Sequence, residues 1–269
     1  MFPLEIFLVR HGESEGNIAN SRSRKDDHSD FSPEFMNRHS TNLRLTHKGK
    51  AQATVVGDWL RENNLAEFDS FYVSPYARAL ETAACLGLHN AMWNVDFRLR
   101  ERDNGSLEIT PTDIRQERLA KYLDVRPYHH FYTPMPDGES ICDVCNRLRS
   151  LVDVLDSEHK QKRGIIVAHG DVMKALRVIF EGILPDRYQE LIEQNSREFK
   201  IGNGQIIHYT RVDPDDSEHI LSDRFGWVRS INPWKPEYAG HDWRAIEPQF
   251  YSNEDLLALA ERSKRLLAE

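Results

Sequence analysis

The 269-residue chain is poor in cysteine, in long apolar runs and in positive charge. Its three cysteines, Cys85, Cys142 and Cys145, are an odd number and too few for the disulfide framework of a small secreted domain, so a reducing, cytoplasmic setting is expected. No stretch approaches the roughly 18 consecutive apolar residues of a membrane span. The first residues, Met1-Phe2-Pro3-Leu4-Glu5-Ile6, carry neither a basic segment nor a small-residue cleavage site. Lys and Arg number 35 against 43 Asp and Glu, a net charge of -8, which argues against general affinity for nucleic acid or anionic lipid. Any anion this chain binds must be captured locally, which makes the position of single arginines more informative than their number.

What is present, 39% hydrophobic and 29% charged residues, suits a globular protein long enough to bury a core without staples. Short apolar runs bounded by turn signals predict strands over 4–9, 70–73 and 165–168. Apolar residues at three- and four-residue spacing predict helices over 48–63, 75–86, 140–160 and 172–181. Alternating strands and helices imply an α/β fold, a three-layer α/β/α arrangement with a mostly parallel central sheet. Ligands of such sheets sit beyond the carboxyl ends of the strands.

Each predicted strand ends in chemistry that packing does not need. The first runs into Arg10-His11-Gly12, the second into Ser74-Pro75 and a helix carrying Arg78, the third into His169-Gly170-Asp171. Ser74 as helix cap and Pro75 at the first helical position would place Arg78 in the first turn, where free N–H groups and the helix dipole favour an anion. Two histidines and two arginines would then converge on one rim.

Other segments have plainer readings. Cys142-x-x-Cys145 lies on a predicted helix without a second cysteine pair, and core packing is expected. His129-His130 is expected to line the mouth of the site rather than to hold a metal. Residues 20–42 form a polar insert, either a simple loop or a lid that reads the non-phosphate part of a ligand. A core domain over 1–212 is followed by an extension over 213–269. That extension holds Trp227, Trp234 and Trp243, and it is expected to pack on the core, with a terminal amphipathic helix over 253–267 capped by Asn253.

Taken in order, Arg10-His11-Gly12-Glu13 with Asn17, Leu45-Thr46-x-x-Gly49 with Gln52, Ser74-Pro75-x-x-Arg78-Ala79-x-x-Thr82, Glu101, Gly138-Glu139-Ser140 and Ala168-His169-Gly170 resemble the histidine phosphatase superfamily, which includes the cofactor-dependent phosphoglycerate mutases. The resemblance implies a phosphoglycerate mutase-like fold. It makes His11 the nucleophile, its second ring nitrogen held by a backbone carbonyl, and makes Glu101 the general acid and base, although Asp103, Glu108 and Asp171 are acids nearby in sequence. It also makes Arg10, Arg78, His169, Asn17 and Gly170 ligands of the phosphoryl group, Asn17 having a turn-capping role as its alternative. Neither metal nor cofactor is implied.

Where the family carries tryptophan and glycine after its acid, this chain has Leu107 and Ile109. Where family mutases clamp a substrate carboxylate with two arginines, it has Arg126-Pro127-Tyr128-His129-His130. A phosphatase is therefore expected over a mutase, acting on a small phosphorylated substrate or a phosphoprotein. Non-catalytic binding of a phosphorylated ligand is the reading from another class. Protonated His169 would help most, so a mildly acidic optimum is expected.

Overall fold

The computed structural model describes residues 2–123, 129–215, 221–238, 242–247 and 250–267. A seven-stranded sheet runs through it, from β1 (Glu5–Arg10), β2 (Ser70–Val73), β3 (Trp93–Val95), β4 (Arg163–Ala168), β5 (Ile206–Thr210), β6 (Trp227–Ile231) and β7 (Arg244–Ala245), in the order β3-β2-β4-β1-β5-β6-β7. The first four strands in that order are mutually parallel; the other three continue the sheet in antiparallel fashion.

The helices are α1 (Glu15–Ser23), α2 (Pro33–Met36), α3 (His47–Glu62), α4 (Ala77–Cys85), α5 (Thr112–Leu123), α6 (His129–Tyr132), α7 (Ile141–Glu158), α8 (Gly170–Glu181), α9 (Pro185–Glu193) and α10 (Asn253–Glu261). Strand periodicity divides the core between two faces. Ile6 and Leu8 point to the side covered by α7, α8 and α9, with Leu148, Leu151, Leu176 and Tyr188. Phe7 and Val9 point to the side covered by α3 and α4, with Val56, Leu60, Ala79 and Ala83. Three layers result, as expected. None of the described helices is long and apolar enough to cross a membrane.

The predicted elements form, with shifted ends. Thr46 caps α3 through Gly49 N–H, and Ser140 with Asp143 makes a capping box at α7. Gly182, at φ 67°, ends α8 in the left-handed conformation that favours glycine. Ser74 is not the cap of α4: the helix starts at Ala77 after Tyr76, and the Ser74 hydroxyl instead accepts from Tyr76 N–H at 3.3 Å and meets His169 at 2.7 Å. Arg78 nevertheless stays in the first turn.

The chain beyond residue 213 contributes β6 and β7 to the sheet. Trp243 lies 4.8 Å from the buried His208 ring, with the Arg229 guanidinium 4.5 Å from the Trp243 ring. The terminal helix is shorter than predicted. Ser252, not Asn253, caps it in a box with Asp255, which moves its start by one residue, and Leu256 and Leu257 stay exposed.

Candidate active site

The Arg-His-Gly and Leu-Thr-x-x-Gly motifs meet because two backbones touch. A Cβ on Gly12 would sit 2.2 Å from the Gly49 carbonyl oxygen, and one on Gly49 would sit 2.0 Å from that of Glu13. Only glycine at both positions permits this approach. Gly12 N–H donates to Thr82 Oγ1 at 3.1 Å, and Glu13 N–H to Gln52 Oε1 at 2.7 Å. The loop after β1 is thereby fixed by α3 and α4.

His11 is buried, and its Nδ1 lies 2.7 Å from the Gly12 carbonyl. A carbonyl only accepts, so Nδ1 carries the proton and Nε2 keeps its lone pair. Arg78 Nε donates toward that Nε2 at 3.3 Å, and Arg78 Nη1 donates to the Ser40 carbonyl at 2.7 Å. Arg10 donates through Nη1 to the Ile201 carbonyl, while its buried Nε has no protein partner.

His169, fully buried, has its ring 5.1 Å from that of His11; Ser74 Oγ meets its Nε2, and its Nδ1 has no partner. A Cβ at Gly170 would lie 3.7 Å from Arg10 Nε, so that guanidinium packs over the start of α8. Arg10 Nε and His169 Nδ1 are thus buried nitrogens without protein partners, although His169 and Gly170 do not line the cavity beside Arg10 and His11.

Burial, followed by the Arg78 and then the Arg10 guanidinium, pushes His11 well below the usual imidazole range. Burial, Arg78 and His11 do the same to His169. Burial and the neighbouring cations thus disfavour the charged form of both rings, against the expectation that His169 is protonated.

Glu101 moves the other way. Burial and the Asp171 carboxylate raise it, against the pull of Arg78 and Arg10. Of the competing acids, Asp171 is ion-paired with Arg102 at 2.9 Å and Lys174 at 3.1 Å, and these cations hold it ionised despite burial. Asp103 is occupied with Gly105 N–H. Glu108 lines the same cavity as Glu101.

That cavity, of about 140 Å³, also takes in Arg10, His11, Asn17 and Arg78. Of its two expected roles Asn17 has the structural one. Its Oδ1 accepts from Ser14 N–H at 3.1 Å and Asn203 Nδ2 at 3.0 Å, which fastens α1, and the residue still borders the cavity.

Several participants escaped the sequence reading. Asn203 also donates to the His11 carbonyl at 3.0 Å, from a loop 192 residues away; nothing local signals that partnership. Ser40, Phe31 and Phe35 bring the insert over 20–42 against the cavity. Ile109 and Arg115 also line it.

His129 and His130 do not border the cavity. They are half-buried on α6, which packs on α9, so the expectation that they line the mouth is not met by the cavity's lining. With Glu193 they form a group whose ligand atoms lie within 4.8 Å of one another, the one such group among the described residues. The rest of the expected clamp segment, residues 124–128, lies outside the described residues. Cys145 is buried against the core, its thiol pushed up to about 12, first by burial; this is packing chemistry.

Comparison with known proteins adds the family. The model of the histidine phosphatase superfamily (branch 1) matches residues 6–201. A phosphoglycerate mutase-like protein of Arabidopsis thaliana is 28% identical over 63% of this chain and 63% of its own length. The chain thus spans less than two thirds of that relative. A 2,3-bisphosphoglycerate-dependent phosphoglycerate mutase of Beijerinckia indica is 29% identical over 67% of this chain and 83% of its own. Among solved structures, a mycobacterial glucosyl-3-phosphoglycerate phosphatase complexed with VO3 superposes with a TM-score of 0.58 at 22% identity, covering 76% of this chain and 92% of that one. A phosphoserine phosphatase mutant from Entamoeba histolytica, in complex with phosphoserine, gives 0.54 at 22% identity over 82% and 96%. These two likenesses establish the fold.

Proposed function

The chain belongs to the histidine phosphatase superfamily, branch 1, and from that premise we propose that it is a metal-independent phosphomonoester hydrolase working through a phosphohistidine on His11. The observation that carries this reading is the state of His11: Nδ1 bonded to Gly12, the charged form of the ring disfavoured, Nε2 beside Arg78. Such an imidazole is a nucleophile with its lone pair already presented.

Phosphoryl transfer asks mainly for positioning and for charge facing the equatorial oxygens. Arg10 and Arg78 supply always-charged forked donors. The arriving phosphate dianion reverses the electrostatics around His169, which then takes up a proton and becomes a third donor. His11 Nε2 forms the P–N bond as the P–O bond to the leaving group breaks, and Glu101 passes its proton to the departing oxygen. Glu101, now a carboxylate, takes a proton from water as that water attacks phosphorus, breaks the P–N bond and releases phosphate. A raised Glu101 pKa suits the first half of this cycle.

The pH profile follows in direction. Neutral His11 persists into the acid range because its pKa is depressed, and protonated Glu101 is lost as pH rises through its raised value. An optimum below neutral is expected for kcat/KM, and Glu101→Gln should both flatten the alkaline limb and cost about 10²–10⁴ in kcat. A limb unchanged in that variant would remove Glu101 from the role.

Phosphoryl return to a second hydroxyl, the mutase reaction, is the second reading, favoured by the 29% identity to the Beijerinckia indica mutase. One experiment separates the readings. Chelator-treated wild type and His11→Ala are compared for hydrolysis of an aryl phosphate, with phosphoglycerate isomerisation measured beside it. Hydrolysis lost only in the variant supports the hydrolase; isomerisation outrunning hydrolysis supports the mutase; neither activity leaves a binding protein.

A further inference from the structure

Besides Arg10, His11, Arg78 and Glu101, the cavity is lined by an apolar group of residues. Phe31 and Phe35, from the insert over 20–42, meet edge to face at 5.8 Å and line it together with Leu43 and Ile109. Ile109 is held at φ 49°. A β-branched residue in the left-handed region is strained, and the resemblance puts glycine, which would not be, at this position. The chain therefore tolerates backbone strain to keep a branched apolar side chain against the cavity.

Arg115 on α5 lines the same cavity and, among the described residues, makes no ion pair. Its protein bonds reduce to one long contact, Nη2 to the Thr110 carbonyl at 3.4 Å, and its buried Nε has no partner. Glu108 borders the same cavity without pairing with it. Arg10 and Arg78, the other two arginines of the lining, share this condition of donating to protein carbonyls or an imidazole and to no acid. The half-buried Arg115 guanidinium, which Glu108 attracts but does not bond, keeps donors available for an anion from outside.

We propose that the site selects a small phosphomonoester whose organic part is apolar, preferably aromatic, and bears an anionic group that Arg115 receives. The proposal rests on the phosphatase reading of the same site. The volume of about 140 Å³ lies below the range of drug-sized pockets, which suits a small molecule. A polyol body would strip its hydroxyls of water against Phe31, Phe35, Leu43 and Ile109, which an aryl body would not.

The test is a factorial panel: phenyl phosphate, para-carboxyphenyl phosphate, glycerol phosphate and phosphoglycerate. In the wild type, KM should be about tenfold lower for phenyl than for glycerol phosphate, and lower again by about tenfold for the carboxylated aryl ester. Arg115→Met should erase the ratio between the two aryl esters, with Arg115→Lys recovering part of it. Ile109→Gly should raise the thermal midpoint, since the strain goes, while raising KM for the aryl esters relative to glycerol phosphate. Equal KM across the panel, or a ratio that survives in Arg115→Met, overturns the proposal.

Calorimetric binding of phenylphosphonate and para-carboxyphenylphosphonate repeats the comparison without turnover. If the protein binds these with the expected ratio and hydrolyses nothing, the phosphatase reading fails and the selectivity stands. If it hydrolyses all four esters alike and the phosphonates bind equally, the selectivity fails and the phosphatase reading stands.

Discussion

Arg78 donates to the His11 ring and the Ser40 carbonyl. Arg177, on the long helix α8, is gripped by both carboxylate oxygens of Glu181 at 2.7 and 3.2 Å, and Arg244 and the Tyr209 hydroxyl also bond to that carboxylate. Both guanidiniums are largely buried. Arg177 is hydrogen-bonded to a carboxylate; Arg78 is not, although the nearby Glu101 and Glu108 attract it. Arg100 and Arg147 resemble Arg177, sharing Glu139, whereas Arg10 and Arg115 resemble Arg78. A buried cation satisfied by protein contributes to the scaffold, and one that bonds no acid keeps donors for a ligand. Pairing, more than burial, separates the scaffold arginines from those of the candidate site.

Breaking the scaffold side should have the largest effect. Glu181→Ala leaves Arg177 buried without its carboxylate, a change expected to cost about 3–5 kcal/mol in denaturant unfolding. Its effect on the affinity for inorganic phosphate should be negligible, since Glu181 does not border the cavity. Should stability hold, the pairing argument for Arg177 is wrong.

On the ligand side, Arg78→Met is expected to lower kcat/KM by about 10²–10³, roughly 3–4 kcal/mol of transition-state stabilisation. Unfolding stability should fall less than in Glu181→Ala, because Arg78 hydrogen-bonds no carboxylate whereas Glu181 is bonded to Arg177 and Arg244. Equal losses of stability in the two variants would erase the distinction between the two kinds of arginine.

A third, smaller effect comes from His208, which stacks on Phe7 at 3.7 Å and lies 3.5 Å from Glu5. Burial depresses its pKa to about 4, despite the opposing pull of Glu5. The sign follows from linkage: the unfolded chain binds the proton first, so stability present above the usual imidazole pKa of about 6.5 is lost as pH falls toward about 4. At most roughly 3 kcal/mol is at stake. Unfolding midpoints measured across that window should drop less in His208→Asn than in wild type; parallel curves would assign the acid sensitivity elsewhere.

Much of the sheet and of the phosphoryl end of the site was legible in the sequence, because there the informative residues are contiguous with the elements that carry them. Arg10-His11-Gly12 follows β1 directly, and His169-Gly170 follows β4. The misreadings share a cause. Ser74 looked like a helix cap because a serine before proline usually is one, and one partner of its hydroxyl, His169, lies 95 residues away. His129 and His130 are expected at the mouth because their segment stands where family mutases carry an arginine clamp, yet α6 packs on α9 and neither residue lines the cavity. Asn203, Ser40 and Arg115 reach the site through tertiary contacts that no periodicity announces. Ile109 carried a signal, a branched residue at a glycine position, whose meaning needed the backbone angle.

The central claim is that His11 itself carries the phosphoryl group. Rapid acid-free quenching of chelator-treated protein during aryl phosphate turnover, followed by mass spectrometry of the peptide containing His11, tests it most directly. The account predicts one acid-labile phosphoryl group on His11, formed fast enough to account for turnover and absent in His11→Ala. Steady hydrolysis with no phosphorylated His11, or undiminished hydrolysis by the variant, would contradict it.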